Sequence, residues 1–179
     1  MLEGLGMCTI PSAVLGRRRA DVRRGARGFT LIELMIVVTL MAVMLGIAAP
    51  SFRDFVAGQR VKTAAGEYAS ALVQARSEAI KRNGSVTVTP ATLSASGWSQ
   101  GWTVAAAAVT VVTQDAYTGV SFAGPAAAIT YLGTGRPSAV VVTMKVSAQY
   151  GESCMNVNLD PSGMPRSSKT TKNPDGSCP

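Results

Sequence analysis

Two hydrophobic patterns divide the chain. From Phe29 to Ala49 it reads FTLIELMIVVTLMAVMLGIAA, an almost unbroken apolar run of 21 residues with one charge, Glu33. As a helix at about 1.5 Å per residue, this run spans roughly 32 Å, close to the ~30 Å of a bilayer core. Beyond Pro50 the run becomes a stripe. Val61, Ala65, Tyr68, Leu72, Ala75 and Ala79 recur at alternating steps of four and three, with Arg60, Lys62, Glu67, Arg76 and Glu78 on the opposite face. That is the pattern of an amphipathic helix packed on one side. Lys81 and Arg82 suit the negative end of a helix dipole, and Asn83-Gly84 is a stop signal. The spacing predicts one helix over about 30–82, interrupted only by Pro50, which removes one hydrogen bond and kinks it.

After Gly84 the period shortens. Ser85–Thr89, Gly101–Ala106, Val109–Thr113, Ile129–Leu132, Ala139–Ser147 and Met155–Leu159 are short runs rich in Val, Ile, Thr and Tyr, separated by Gly and Pro. They predict an antiparallel sheet of about six strands. The alanine stretches Ala105–Ala108 and Ala126–Ala128 fit either a strand or a short helix. The segment Pro161–Pro179 is poor in apolar residues and reads as a loop.

Charge changes this picture in one respect. The 179 residues carry a formal net charge of +7, which on its face suggests a nucleic-acid partner. Residues 1–28, however, hold six arginines against two acids, while residues 29–179 hold 11 cations and 8 acids. Most of the surplus therefore lies just before the apolar run, where positive charge keeps that end of a helix in the cytoplasm and the rest of the chain is exported. The mean hydropathy of +0.23 is raised largely by the same run. The chain has no histidine, and its three cysteines have no CxxC spacing. Together these exclude His-dependent catalysis, a zinc ribbon and a thioredoxin-type site. The acids beyond the apolar run do not cluster. The expectation is a protein that is not an enzyme and has neither cofactor nor metal.

The apolar run fits a plain signal anchor, a cleaved signal peptide, or a third kind of signal. Arg27-Gly28-Phe29-Thr30-Leu31-Ile32-Glu33-Leu34 resembles the class III signal of type IV pilins and pseudopilins. The resemblance implies removal of a leader over 1–28 by prepilin peptidase, which cuts between Gly28 and Phe29 and methylates Phe29. The leader starts at Met1 or Met7. The resemblance also implies that Glu33 neutralises the N-terminal amine of a neighbouring subunit during assembly. An acid costs free energy within a bilayer, which is why such residues have partners.

Three downstream segments narrow the family. Trp98-Ser99-Gln100-Gly101-Trp102, Tyr131-Leu132-Gly133-Thr134-Gly135-Arg136-Pro137 and Val157-Asn158-Leu159-Asp160-Pro161-Ser162-Gly163 resemble motifs of the GspH/FimT group (which includes FimU) of minor pilins and pseudopilins. The implied architecture is the α+β type IV pilin-like fold. Residues 29–49 form the membrane or filament-core helix, 50–84 its amphipathic continuation, and 85–179 a sheet domain. The implied partners are other minor and major pilins, met through the N-terminal helix, prepilin peptidase, and the inner membrane, with the sheet domain in the periplasm. Trp98 and Trp102 are expected to be core aromatics rather than ligand contacts.

Cleavage would remove Cys8 and leave Cys154 and Cys178. In an exported, oxidising setting this pair reads as a disulfide closing the C-terminal loop, as opposed to two free thiols. Arg166, Lys169 and Lys172 lie inside that loop, and Arg136 is a further candidate cation. In FimT-like proteins a G-R-x-R motif in this region is associated with DNA binding in natural transformation. Here the matching stretch is Gly163-Met164-Pro165-Arg166, with one of the two arginines replaced. Two or three cations with no aromatic among them support only weak, salt-sensitive DNA contact. Three roles follow from the resemblance: a minor pilin that initiates or caps a type IV pilus, a DNA-binding minor pilin for uptake, and an H-type minor pseudopilin of type II secretion.

Overall fold

The computed structural model describes residues 28–139 and 142–179. The expected leader, Gly28 apart, and Cys8 lie outside the described residues. Helix α1 is Leu31–Arg82 and contains Pro50. Its end shows how the chain leaves a helix. Gly84 N–H donates to the Ala79 carbonyl and Asn83 N–H to that of Ile80, a closing turn of the Schellman kind. Asn83, not Gly84, takes the left-handed conformation, at φ 48°. Its short amide side chain tolerates that region.

The buried face of α1 is Val61, Ala64, Ala65, Tyr68, Ala71, Leu72, Ala75 and Ala79. This is the expected stripe, widened by two alanines. Small residues let the strands approach the helix closely, and one large side chain, Tyr68, enters the centre of the core. Its ring meets Trp98 and Trp102 edge-on, each at 5.4 Å between centroids, and Phe122 at 6.2 Å. Edge-to-face packing of this kind adds to simple burial.

The strands are β1 (Val86–Pro90), β2 (Trp102–Ala106), β3 (Val109–Gln114), β4 (Val120–Ala123), β5 (Ile129–Tyr131), β6 (Val142–Ala148), β7 (Ser153–Leu159) and β8 (Pro165–Thr171). They form two four-stranded antiparallel sheets, ordered β3-β2-β1-β5 and β4-β6-β7-β8. The expectation of one sheet of about six strands is therefore corrected to eight strands in two sheets. β4 has only four residues between Gly119 and Gly124, too few for a visible alternation. β8, PRSSKTT, contains no apolar residue but Pro165. It is an edge strand that leaves most of its side chains in solvent, so hydrophobic patterning could not reveal it. The C-terminal segment thus contains a strand, paired with β7 from Ser153↔Thr171 to Leu159↔Pro165, and is not simply a loop. Of the alanine stretches, the first ends β2 and turns at Ala107, at φ 51°. The second joins β4 to β5.

Both sheets contribute to one core with the helix. The last residues fold over the outer face of the second sheet. Lys145 Nζ donates to the Cys178 carbonyl at 3.0 Å and Asn156 Nδ2 to that of Pro179 at 3.1 Å. Cys154 points to that same outer face and is fully buried there, disulfide-bonded to Cys178 with a Cα–Cα distance of 5.9 Å.

Candidate functional site

The N-terminal segment is described by itself. Gly28 has no neighbouring atom within 4 Å of where a Cβ would lie, and Phe29 is 76% exposed. Among the described residues, nothing packs on the peptide between them. Thr30 caps the helix: Glu33 N–H donates to its Oγ1 at 3.2 Å, and Leu34 N–H to its carbonyl. Thr30 and Glu33 have the S/T-x-x-E spacing of a capping box, a signal in the sequence that the class III reading passed over. Glu33 lies in the first turn of α1, where a negative charge suits the helix dipole. It has no cationic partner among the described residues. Thr39 Oγ1 donates to the carbonyls of Ile36 and Met35, which keeps its hydroxyl satisfied in apolar surroundings. α1 holds a stretch long and apolar enough to cross a membrane.

The family-like motifs of the sheet domain have structural work. Gly97–Gln100 form a 3-10 turn that buries Trp98, whose Nε1 donates to the Pro125 carbonyl at 2.8 Å. Gly101 follows at φ 101°, and a Cβ there would lie 2.1 Å from the Gln114 carbonyl oxygen. Only glycine lets Trp102 follow into β2 at this spacing. The other two motifs meet each other. Tyr131 Oη donates to the Gly163 carbonyl at 3.3 Å, tying the first sheet to the β7–β8 turn of the second. Burial pushes the Tyr131 hydroxyl up to about 12, so it stays a neutral donor. Arg76 of α1 donates from Nε to the Gly135 carbonyl at 3.1 Å and also reaches the Met164 thioether.

The candidate DNA cations do not share one surface. Arg166 pairs with Asp160 at 3.2 Å. The Ser162 hydroxyl, then Arg166, hold the Asp160 carboxyl below its ordinary value. Lys172 Nζ donates to the Ala148 carbonyl at 2.7 Å. Lys169 sits opposite Met155, which packs on the core, whereas Arg166 sits opposite Asn158. Three residues apart on a strand, Arg166 and Lys169 face opposite sides. Arg136 lies between β5 and β6, its carbonyl accepting from Leu132 N–H. Among the described residues, no cluster of three metal-ligating side chains occurs.

Comparison with known proteins identifies the class. A family model described as type II transport protein GspH matches residues 64–163, and one described as the prokaryotic N-terminal methylation motif matches residues 23–49. The chain belongs to the GspH family of type IV pilin-like minor pilins and pseudopilins. It is 44% identical over 57 residues to a fimbrial protein of Pseudomonas aeruginosa, which is 32% of this chain and 36% of that protein. It is 39% identical over 44 residues to the type IV major alpha-pilin of Moraxella bovis, which is 25% of this chain and 28% of that one. The chain thus spans about a third of the length of the curated relatives it matches. The fold is also that of the type IV minor pilin FimU of Pseudomonas aeruginosa. Its crystal structure superposes with a TM-score of 0.53 at 15% identity over 63% of this chain and 89% of that one.

Proposed function

We propose that this chain is a minor pilin that initiates or caps a type IV pilus. In this reading it is cleaved after Gly28, methylated at Phe29 and held in the inner membrane by residues 29–49, with its sheet domain in the periplasm. The observation that carries the reading is the exposure of every residue from Phe29 to Phe55. So long an apolar surface needs a bilayer or neighbouring helices to cover it. Other pilins would cover it in the filament, and Glu33 would meet the freed amine of the adjacent subunit. Mass spectrometry of the mature protein tests the processing. The expected N-terminus is methyl-Phe29, and Gly28→Ala should leave the full precursor. Any other N-terminus refutes it.

The family description favours a second reading, an H-type pseudopilin of type II secretion. Deleting the gene separates the two: loss of surface pili supports the first, and loss of exoprotein secretion with pili intact supports the second. DNA uptake is the weakest of the three roles, because Arg166 and Lys172 already have partners. A gel shift unaffected by Arg166→Ala with Lys169→Ala would remove it.

A further inference from the structure

The eight methionines of the chain meet very different surroundings. Met1 and Met7 lie outside the described residues, and Met35, Met41 and Met44 belong to the apolar run. Met144 is fully buried, and Met155 packs against the core. Met164, in the β7–β8 turn, is 44% exposed. Its backbone is nonetheless held at both polar groups. Met164 N–H donates to Asp160 Oδ1 at 3.3 Å, and the Met164 carbonyl accepts from Asp160 N–H at 3.3 Å. The turn therefore carries the thioether at a defined place, against the Arg76 guanidinium.

That contact is unequal. A guanidinium is a fork of N–H donors, and a thioether is a weak acceptor. Arg76 Nε donates to the Gly135 carbonyl and Nη1 meets the sulfur, while Nη2 has no protein acceptor among the described residues. Donors fixed beside a weak acceptor suit a stronger one, and oxidation supplies it. A methionine sulfoxide carries a polar oxygen on its sulfur. Hydrogen bonds from a charged donor are roughly twice as strong as those between neutral groups. The rotatable bonds of the side chain let the new oxygen turn toward the guanidinium. The same change at Met144 would put a polar oxygen into the apolar core.

We propose that Met164 is an oxidative modification site whose sulfoxide is held by Arg76. The oxidant is a hydroperoxide, in the simplest case hydrogen peroxide. A sulfur lone pair attacks one peroxide oxygen, the O–O bond breaks and an S–O bond forms. The sulfur gives up two electrons. The proton on the transferred oxygen passes to the departing hydroxide, which leaves as water. Arg76 also holds the Gly135 carbonyl, and Tyr131 holds the carbonyl of Gly163 next to Met164. The product therefore ties α1, the segment after β5 and the β7–β8 turn more firmly together, so that peroxide tightens this junction. A methionine sulfoxide reductase reverses it. The proposal is independent of which filament the subunit joins.

The test treats the full chain in detergent with hydrogen peroxide, follows each methionine by peptide mass spectrometry and measures the Tm. Met164 should gain its oxygen several-fold faster than Met144 and Met155. The Tm should then rise by roughly 2–4 °C, the shift expected of one added hydrogen bond to a charged group in a chain of this length. The rise should be absent from Met164→Leu, which keeps the other methionines, and smaller in Arg76→Gln. Where Arg76→Gln does not fold, Met164→Gln gives the second measurement. Its side-chain carbonyl is a permanent acceptor at this place, so it should melt above Met164→Leu, and the reverse order refutes the proposal. Earlier oxidation of Met144 or Met155 overturns it, as does a Tm that stays level or falls once Met164 carries its oxygen. An equal rise in Met164→Leu assigns the effect to another methionine. An equal rise in Arg76→Gln shows that the guanidinium does not hold the sulfoxide, and either result is fatal to the proposal.

Discussion

The two halves of α1 use apolar residues in opposite ways. From Phe29 to Phe55 every side chain is exposed, including Leu45 at 69%. From Val61 onward the apolar residues of one face are buried against the sheets, with Tyr68 at 1%. The second half is more polar by composition yet holds the core. Hydrophobicity alone therefore does not say which part of a helix stabilises the folded chain. What decides is whether the chain itself supplies a surface to cover the apolar side, as the sheets do for one half only.

The sharpest way to break this comparison is paired truncation. Tyr68→Ala should cost about 3–5 kcal/mol, the usual cost of deleting a fully buried aromatic. Leu45→Ala should stay within about 0.5 kcal/mol. Urea unfolding of the full chain in detergent measures both, and equal costs would refute the contrast. Next in size is the disulfide. Replacing Cys154 and Cys178 by Ser should cost about 3 kcal/mol for a loop of this length, in the same assay. Gly163→Ala should cost about 1–3 kcal/mol. At φ 84° its Cβ would lie 2.3 Å from the Gly135 carbonyl oxygen, so calorimetry should show a lower Tm.

Smaller effects sharpen the picture of the C-terminal region and the core. The Asp160 carboxyl is held low in the folded state. Its contribution is present above the ordinary carboxylate range and is lost as pH falls through the lowered folded value. The stability gap between the parent and Asp160→Ala should be constant near neutrality and close below about pH 4. Least of all, Tyr68→Phe should be neutral or slightly stabilising. Tyr68 Oη is buried without a hydrogen-bond partner among the described residues, and removing an unsatisfied hydroxyl recovers its desolvation cost. Burial likewise drives the Tyr68 hydroxyl's pKa up, so it does not ionise at working pH. A clear loss on Tyr68→Phe would reveal a partner for the hydroxyl.

Legibility followed the strength of local periodicity. The helix, its buried stripe and its C-terminal stop could be read because six residues, Val61 to Ala79, repeat one geometry over about five turns. The cysteine pair could be read because, on the expectation that the chain is exported and loses Cys8 with its leader, two cysteines have one pairing available. β4 was too short to show a pattern. β8 has no apolar code, and its pairing with β7 comes from backbone hydrogen bonds that any residue but proline can make. The cap at Thr30 was present as a spacing and overlooked beside the stronger class III signal. Three of the four candidate DNA cations, Arg166, Lys169 and Lys172, are close in sequence, but strand alternation and the partners of Arg166 and Lys172 at Asp160 and Ala148 disperse them.

The sequence by itself determined the apolar run, the amphipathic stripe, the class III signal and the disulfide, because each depends on residues whose spacing or count is sufficient. Only the tertiary structure decided that the strands divide into two sheets, that Arg76, Tyr131, Gly135 and Gly163 meet at one junction, and which cations remain unpartnered. Those outcomes depend on contacts between residues dozens of positions apart, and a local pattern carries no information about which distant carbonyl or carboxylate a side chain will reach.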